Sequence, residues 1–302
     1  MGARSRVSGG VVAGLLAGAL WGLVFVAPRM TPGLSSLDLA AGRFLAYGLV
    51  SLVILAALPR RRVPTASQMV WALGLSVLGF TGYYWFLVLA IRDAGTEVPT
   101  LIIGTIPLWV MALGKPAGLR WAALLPGLVL TATGLALMVN ATAPAGASAG
   151  APAFARGVGW AMLAMACWTV FALLNAAWLK RHPDVSATEW ANWLGVATGV
   201  GALVLWSALG TPAAELVRQP GFAQSALVCV ATGVGSAWLA TILWNIASQR
   251  LSASLCGQLI VSETVFALVY AFVLDGRWPG LAPLSAAVLF TFGILFSIRA
   301  HR

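Results

Sequence analysis

Long apolar segments follow one another along this chain from Ser8 to Ile298, and the short polar breaks between them carry almost all of the charge. A helix needs about 20 predominantly apolar residues to cross the hydrocarbon core of a bilayer. The pattern predicts ten membrane-spanning helices within the 302 residues. The fourth is short, with Pro99 at its start and Pro107 inside it, which predicts a kinked or tilted helix. The predicted spans are 8–27, 37–58, 68–89, 98–114, 119–140, 157–179, 186–209, 222–248, 254–274 and 281–298.

The composition indicates the same class of protein. Hydrophobic residues make up 60% of the chain and charged residues only 9%, and the mean hydropathy is +0.92. A soluble domain carries about 25% charged residues, so the polar groups of this chain are too few to cover a water-facing surface. The solvent for most of the surface must be lipid, and we predict an all-α polytopic membrane protein.

Positively charged residues predict the orientation of the spans. Of the 18 Lys and Arg residues, twelve lie in loops on the side of the two termini, five lie on the other side and Arg43 lies within a span. Because cytoplasmic loops are enriched in Lys and Arg, we expect both termini in the cytoplasm and the protein in the bacterial inner membrane. This distribution explains the net charge of +10 without a nucleic-acid partner. The expected partners are the bilayer and a small-molecule substrate, with the chain a monomer or a homodimer.

Residues that could carry catalysis or bind a metal are few. Cys167, Cys229 and Cys256 fall within apolar segments, and the two histidines, His182 and His301, lie outside them. Since no cluster of His, Cys and carboxylate groups has the spacing of a metal site, we expect no metal and no cofactor. The sequence has no H-E-x-x-H, G-x-S-x-G or phosphate-loop motif, which disfavours an enzyme or an ATP-driven pump.

The chain divides into two halves that resemble each other. A stretch rich in Ala, Gly, Pro and Ser predicts an external linker at 141–156, between a first half at 1–140 and a second at 157–302. Each half holds five predicted spans, and weak matches relate them, among them Trp21 with Trp168. Because five is odd, the second half enters the membrane from the opposite side. The sequence therefore predicts two inverted five-helix repeats, which are typical of transporters with a substrate site where the repeats meet.

Four short motifs lie at the expected places in these spans. They are Trp-Gly at 21–22, Arg-Phe at 43–44, Trp-Asn-Ile-Ala at 244–247 and Ser-Glu-Thr-Val-Phe-Ala at 262–267. Together they resemble the drug/metabolite transporter superfamily in its ten-span, duplicated branch of the EamA type. The resemblance implies a secondary transporter that works by alternating access. Thr264 stands where the family usually has a proline, which predicts a straighter ninth helix.

Aromatic and amide side chains share faces on several predicted helices. Trp168 and Asn175 are seven residues apart, as are Trp238 and Asn245, so each pair lies on one helical face. A face of this kind suits an amphipathic organic solute, although packing and hydrogen bonding between helices can produce the same pattern. The candidate substrate-binding residues are Trp21, Tyr84, Trp168, Asn175, Trp238, Thr241, Asn245, Gln258 and Ser262.

These features predict an exporter of small amphipathic metabolites, with neutral or aromatic amino acids as the favoured class. The Trp- and Tyr-rich interior is similar to that of the aromatic amino acid exporters. Nucleosides and organic cations or drugs are the alternative substrates, and a membrane-embedded enzyme is a less favoured alternative. Glu263 and Arg43 are the clearest ionisable residues inside spans. We expect Glu263 to be a structural partner and not an obligatory proton carrier, and Arg43 to be a structural anchor paired with a carboxylate or with helix-end carbonyl groups.

Overall fold

A computed structural model describes residues 3–31, 33–57, 63–95, 97–142, 151–276, 278 and 280–301. Every regular element in these residues is helical. Nine helices in the described residues are long and apolar enough to cross a membrane, and a shorter apolar helix occupies the place of the predicted fourth span. The fold is therefore that of an all-α polytopic membrane protein, as predicted. In chain order, α1 to α10 are Ala3–Gly22, Ser36–Ala57, Ala66–Ala94, Val98–Leu113, Trp121–Thr142, Ala151–Arg181, Ala187–Leu209, Phe222–Arg250, Ala253–Leu274 and Leu281–Ala300.

Four helices in the described part of the chain are interrupted near their centres. α3 contains a π-helical turn at Val77–Thr81, and α8 contains one at Gly233–Leu239. α4 breaks at Thr105, and α9 breaks at Val261. Short π-helical turns within α-helices occur frequently at functional sites.

The breaks in α4 and α9 have different causes. Pro107 lies in the first turn of the second segment of α4, which confirms the predicted kink. In α9, Thr264 in place of proline does not give an unbroken helix. The Ser262 hydroxyl donates to the Leu259 carbonyl at 2.7 Å, which is the carbonyl that would accept from residue 263 in a regular α-helix. The Thr264 amide instead donates to the carbonyl of Val261 at 3.1 Å, three residues back.

Helices extend into the predicted linker from both sides. α5 continues to Thr142 and α6 begins at Ala151, so only 143–150 of the predicted 141–156 lies outside the described residues. Ala141, Ala151 and Ala153 are at these edges, and alanine is the strongest helix former. The division of the chain at an external linker of 141–156 stays a prediction.

The helices pack in pairs that join the two halves of the chain. α2 packs along α7, α4 along α9 and α5 along α10, while α1 contacts α8 as α3 contacts α6. The set of pairs is unchanged when each helix of the first half is exchanged for its counterpart in the second. α2 and α7 approach closely, because a Cβ atom added to Gly48 would lie 2.6 Å from the Cα atom of Gly199.

The two sides of the molecule differ in how tightly they are packed. We call the side on which α1 begins and α10 ends the terminal side, and the other the opposite side. On the terminal side, all residues at 254–262 of α9 are buried. On the opposite side, three stretches consist entirely of half-buried residues. They are 82–88 of α3, 101–105 of α4 and 263–268 of α9. A helix packed between protein and lipid alternates between buried and exposed positions, so we infer that these stretches border open space on their inner faces as well.

Candidate functional site

A continuous series of ring contacts crosses the middle of the molecule. It runs from Trp244 on α8 through α1, α6, α3 and α2 and returns to α3 at Tyr84. Successive ring centroids lie 5.2 to 6.2 Å apart, mostly edge to face, and each such pair contributes about 0.5–1.5 kcal/mol beyond burial. The members of this aromatic series, in order, are Trp244, Trp21, Trp168, Phe171, Phe80, Phe44 and Tyr84.

Three predicted site residues, Trp21, Trp168 and Tyr84, belong to this series and are half-buried. The Tyr84 hydroxyl donates to the Ser36 carbonyl at 2.5 Å, which fixes the ring against the start of α2. Trp244 was not among the candidates, although it lies 5.2 Å from Trp21 and is only 1% exposed. The motif at 244–247 was the one sequence signal that could have indicated it.

Two predicted amides, Asn175 and Asn245, bind each other. The Asn175 amide nitrogen donates to the Asn245 side-chain oxygen at 3.0 Å, and Asn245 donates to the Ala187 carbonyl at 3.3 Å. The Trp190 indole donates to the Asn175 oxygen at 2.7 Å. Both amides have no exposed surface. In this structure they join α6, α7 and α8 near the terminal side and do not border open space.

The remaining predicted residues also make contacts with protein. Gln258 donates to the Thr131 hydroxyl at 3.0 Å and accepts from the Ser297 hydroxyl at 2.9 Å, which joins α9 to α5 and α10. The half-buried Trp238 donates to the side-chain oxygen of Asn192 at 2.8 Å. Thr241 and Ser262 are both 2% exposed. Nothing in these contacts tests a role in binding, which stays a prediction for all four.

Glu263 and Arg43 are half-buried residues at the level of the aromatic series. α9 carries Glu263 against α1, because a Cβ atom on Gly22 would lie 3.1 Å from the Glu263 carbonyl oxygen. The guanidinium carbon of Arg43 lies 4.7 Å from the ring centroid of Phe44. Tyr83 on α3 is within electrostatic reach of both charged groups. Charged groups in contact with lipid are costly, so we expect these side chains to face the inferred open space inside the molecule.

The predicted carboxylate partner of Arg43 is not found. Within the residues that the structure describes, no ion pair involves Arg43. Its Nε atom is fully enclosed and has no hydrogen-bond partner. The sequence predicted that Arg43 is a structural anchor, because a single charge inside the membrane is normally neutralised by a neighbouring group.

Polar contacts hold the opposite side together around this open space. The Asp93 carboxylate accepts from Arg156 Nε at 2.6 Å, which ties α3 to α6. The Asp38 carboxylate accepts from the Thr211 amide at 2.9 Å and the Thr211 hydroxyl at 2.7 Å, which ties α2 to the segment after α7. No group of three or more His, Cys, Asp or Glu side chains in the described ranges could hold a metal ion. The site thus consists of ring surfaces, two tyrosine hydroxyls and two ionisable side chains that form no ion pair with each other in the described residues.

Known proteins show the same sequence pattern and the same fold. Residues 8–140 match the model of the EamA-like transporter family. Inner membrane protein YtfF of Escherichia coli (strain K12) is 35% identical over 310 residues, which cover 96% of this chain and 95% of that protein. The chain belongs to the EamA-like transporter family. A solved crystal structure with 22% sequence identity covers 98% of this chain and 99% of its own, with a TM-score of 0.77, and it shares the fold of this family member.

Membership of the EamA-like family confirms the resemblance on which the transporter prediction depended. The chain is a membrane transporter of the drug/metabolite superfamily, and family membership indicates a transporter rather than an enzyme. The aromatic series then lies where a transporter with two halves is expected to bind its solute, between helices of both halves.

Proposed function

We propose that this EamA-like protein exports neutral amino acids with aromatic or large apolar side chains across the bacterial inner membrane by alternating access. One observation carries the proposal: the rings of Trp21, Trp168 and Tyr84 are half-buried and belong to one series of ring contacts. Arg43 and Glu263, which are also half-buried, lie at the level of this series. A large apolar side chain can pack against these rings, while its polar groups meet the hydrogen-bonding and charged groups. Location in the inner membrane is supported by the similarity to inner membrane protein YtfF and by the apolar helices.

Two inverted repeats, at 1–140 and 157–302, are part of this proposal. They are supported by the pairing of the helices and by interruptions at equivalent places, in α3 and α8 and in α4 and α9.

The excess of Lys and Arg on the terminal side supports a cytoplasmic location for both termini. The open space then faces the exterior, and the buried Asn175–Asn245 contact lies in the closed cytoplasmic half. Transport would require that contact to separate while the opposite side closes.

Counterflow in proteoliposomes tests this function. Vesicles that contain the purified protein are loaded with one unlabelled solute and mixed with labelled L-tryptophan outside. We expect L-tryptophan, L-phenylalanine and L-leucine inside to drive accumulation of label, and uridine or tetraethylammonium to fail. Accumulation with uridine or tetraethylammonium alone, each with its own label, would favour the nucleoside or organic-cation alternative. No counterflow of any of these solutes would contradict the proposed substrate class.

A further inference from the structure

Among the side chains that the structure describes, Arg43 is a cation inside the protein without an anion to neutralise it. The ionisable groups that act on its guanidinium are the phenols of Tyr83 and Tyr84 and the thiol of Cys229. Such groups are uncharged at neutral pH under ordinary conditions. A buried charge without a partner costs several kcal/mol, so a protein keeps one only where something else neutralises it.

Two carboxylates on α2 and α3, Asp38 and Asp93, have other partners. Asp38, on the same helix as Arg43, accepts hydrogen bonds from Thr211 and from the Ser35 hydroxyl at 2.6 Å. Asp93, on α3, is bound by Arg156 and Arg92. Glu263 acts on Tyr83, but no ion pair within the described residues joins it to Arg43. No carboxylate whose side chain the structure describes forms an ion pair with Arg43, so an anion that enters from the open space can take this place.

The position of Arg43 suits a carboxylate that enters from the open space. Its Nε atom is enclosed while the side chain as a whole is half-buried, and neither terminal nitrogen is among the enclosed polar atoms without a partner. The guanidinium carbon lies over the Phe44 ring, 4.7 Å from its centroid. A guanidinium presents its N–H donors in a planar fork, which matches the two oxygens of a carboxylate.

We propose that Arg43 binds the carboxylate of the transported solute, with Tyr83 and Tyr84 as neighbouring walls. This inference rests on the proposed function, because it names the residue that holds one end of the amino acid. Phe44 and Tyr84 are also the last members of the aromatic series. A solute anchored at Arg43 can therefore extend its apolar part along Phe80 towards Trp168.

Four related compounds separate this role from a purely structural one. L-Tryptophan and indole-3-propionate carry a carboxylate, whereas L-tryptophanamide and tryptamine do not. The readout is the rise in the thermal unfolding temperature of the purified protein with each compound, which does not require transport. We expect both carboxylates to bind the parent protein at least about ten times more tightly than the amide and the amine. Arg43→Gln should lose this preference, Arg43→Lys should keep part of it, and Arg218→Gln, a matched change at an exposed position, should keep all of it.

The outcomes distinguish this inference from the proposed function. Equal binding of carboxylates and amides by the parent, no binding of any of the four, or an unchanged preference in Arg43→Gln would each overturn the role of Arg43. If Arg43→Gln does not fold, the preference of the parent and its reduction in Arg43→Lys decide the question. Carboxylate binding that depends on Arg43, together with no counterflow of any amino acid, would retain the anion site and reject the proposed substrate class.

Discussion

At the scale of single residues, Trp168 is the point where ring contacts from three helices meet. Its centroid lies 6.2 Å from Trp21, 6.0 Å from Phe171 and 6.2 Å from Trp244. We predict that Trp168→Ala raises the half-saturation concentration for L-tryptophan counterflow about tenfold, because one lost aromatic contact is worth about 1.4 kcal/mol. Trp278→Ala is the matched control, since Trp278 is 78% exposed and should have no effect on transport. Equal transport by both variants at normal expression would contradict a role for Trp168.

Glu263 offers a second prediction at this scale. Glu263→Gln should retain substantial substrate exchange, because the electrostatic neighbour identified for Glu263 is Tyr83 and not a second carboxylate that could relay a proton. Counterflow at equal pH on both sides should therefore be preserved. Uptake of labelled L-tryptophan under an imposed pH gradient is then measured for the parent and for Glu263→Gln. If Glu263→Gln keeps exchange but loses a gradient-driven component seen in the parent, Glu263 carries the coupling proton.

Residue spacing predicted part of this site. Trp168 and Asn175 were correctly placed on one helical face, but spacing within a helix does not say which residue lies opposite. Asn175 therefore pairs with the other predicted amide, Asn245, and not with open space. The contacts of Trp244 and Phe80 are also made between helices and leave no periodic signal in the sequence. The missing partner of Arg43 could be seen only when the surrounding helices were in place.

At the scale of helices, the contact of Asn175 with Asn245 joins α6 to α8. We predict that Asn175→Ala and Asn245→Ala each lower the unfolding temperature, because each leaves a buried partner unsatisfied at a cost of about 1–3 kcal/mol. The double variant should lose much less than the two single effects combined. The control combines Asn175→Ala with Gln258→Ala. The two decreases in unfolding temperature should add, since Gln258 bonds to Thr131 and Ser297 and not to Asn175. Additive effects for both pairs would contradict a shared contact.

Hydropathy predicted where the helices lie, but the sequence predicted an interruption within a helix only where the helix contains proline. Pro107 predicted the break in α4 correctly. The break at Val261 in α9 depends on a side-chain hydrogen bond from Ser262, and the π-helical turns of α3 and α8 contain no proline. Such features arise from local hydrogen-bond competition and tertiary packing, which hydrophobic periodicity does not record.

At the scale of the whole molecule, the orientation in the membrane is a prediction from charge. A cysteine at Ser148, a position outside the described residues, should react with an impermeant reagent added to intact cells. The variant is made without Cys167, Cys229 and Cys256. A cysteine at Ser5, which is exposed near the start of α1, is the control and should react only after permeabilisation. The reverse pattern would place the termini outside and the open space towards the cytoplasm.

The account as a whole depends on whether the open space beside the aromatic series is the path of the solute. The most direct measurement uses a single cysteine at Tyr83, which is within electrostatic reach of both Arg43 and Glu263, in the same cysteine-free background. We predict that an impermeant thiol reagent added to intact cells modifies this cysteine and that L-tryptophan slows the modification, whereas uridine does not. Modification at the same rate with and without any amino acid would contradict the account.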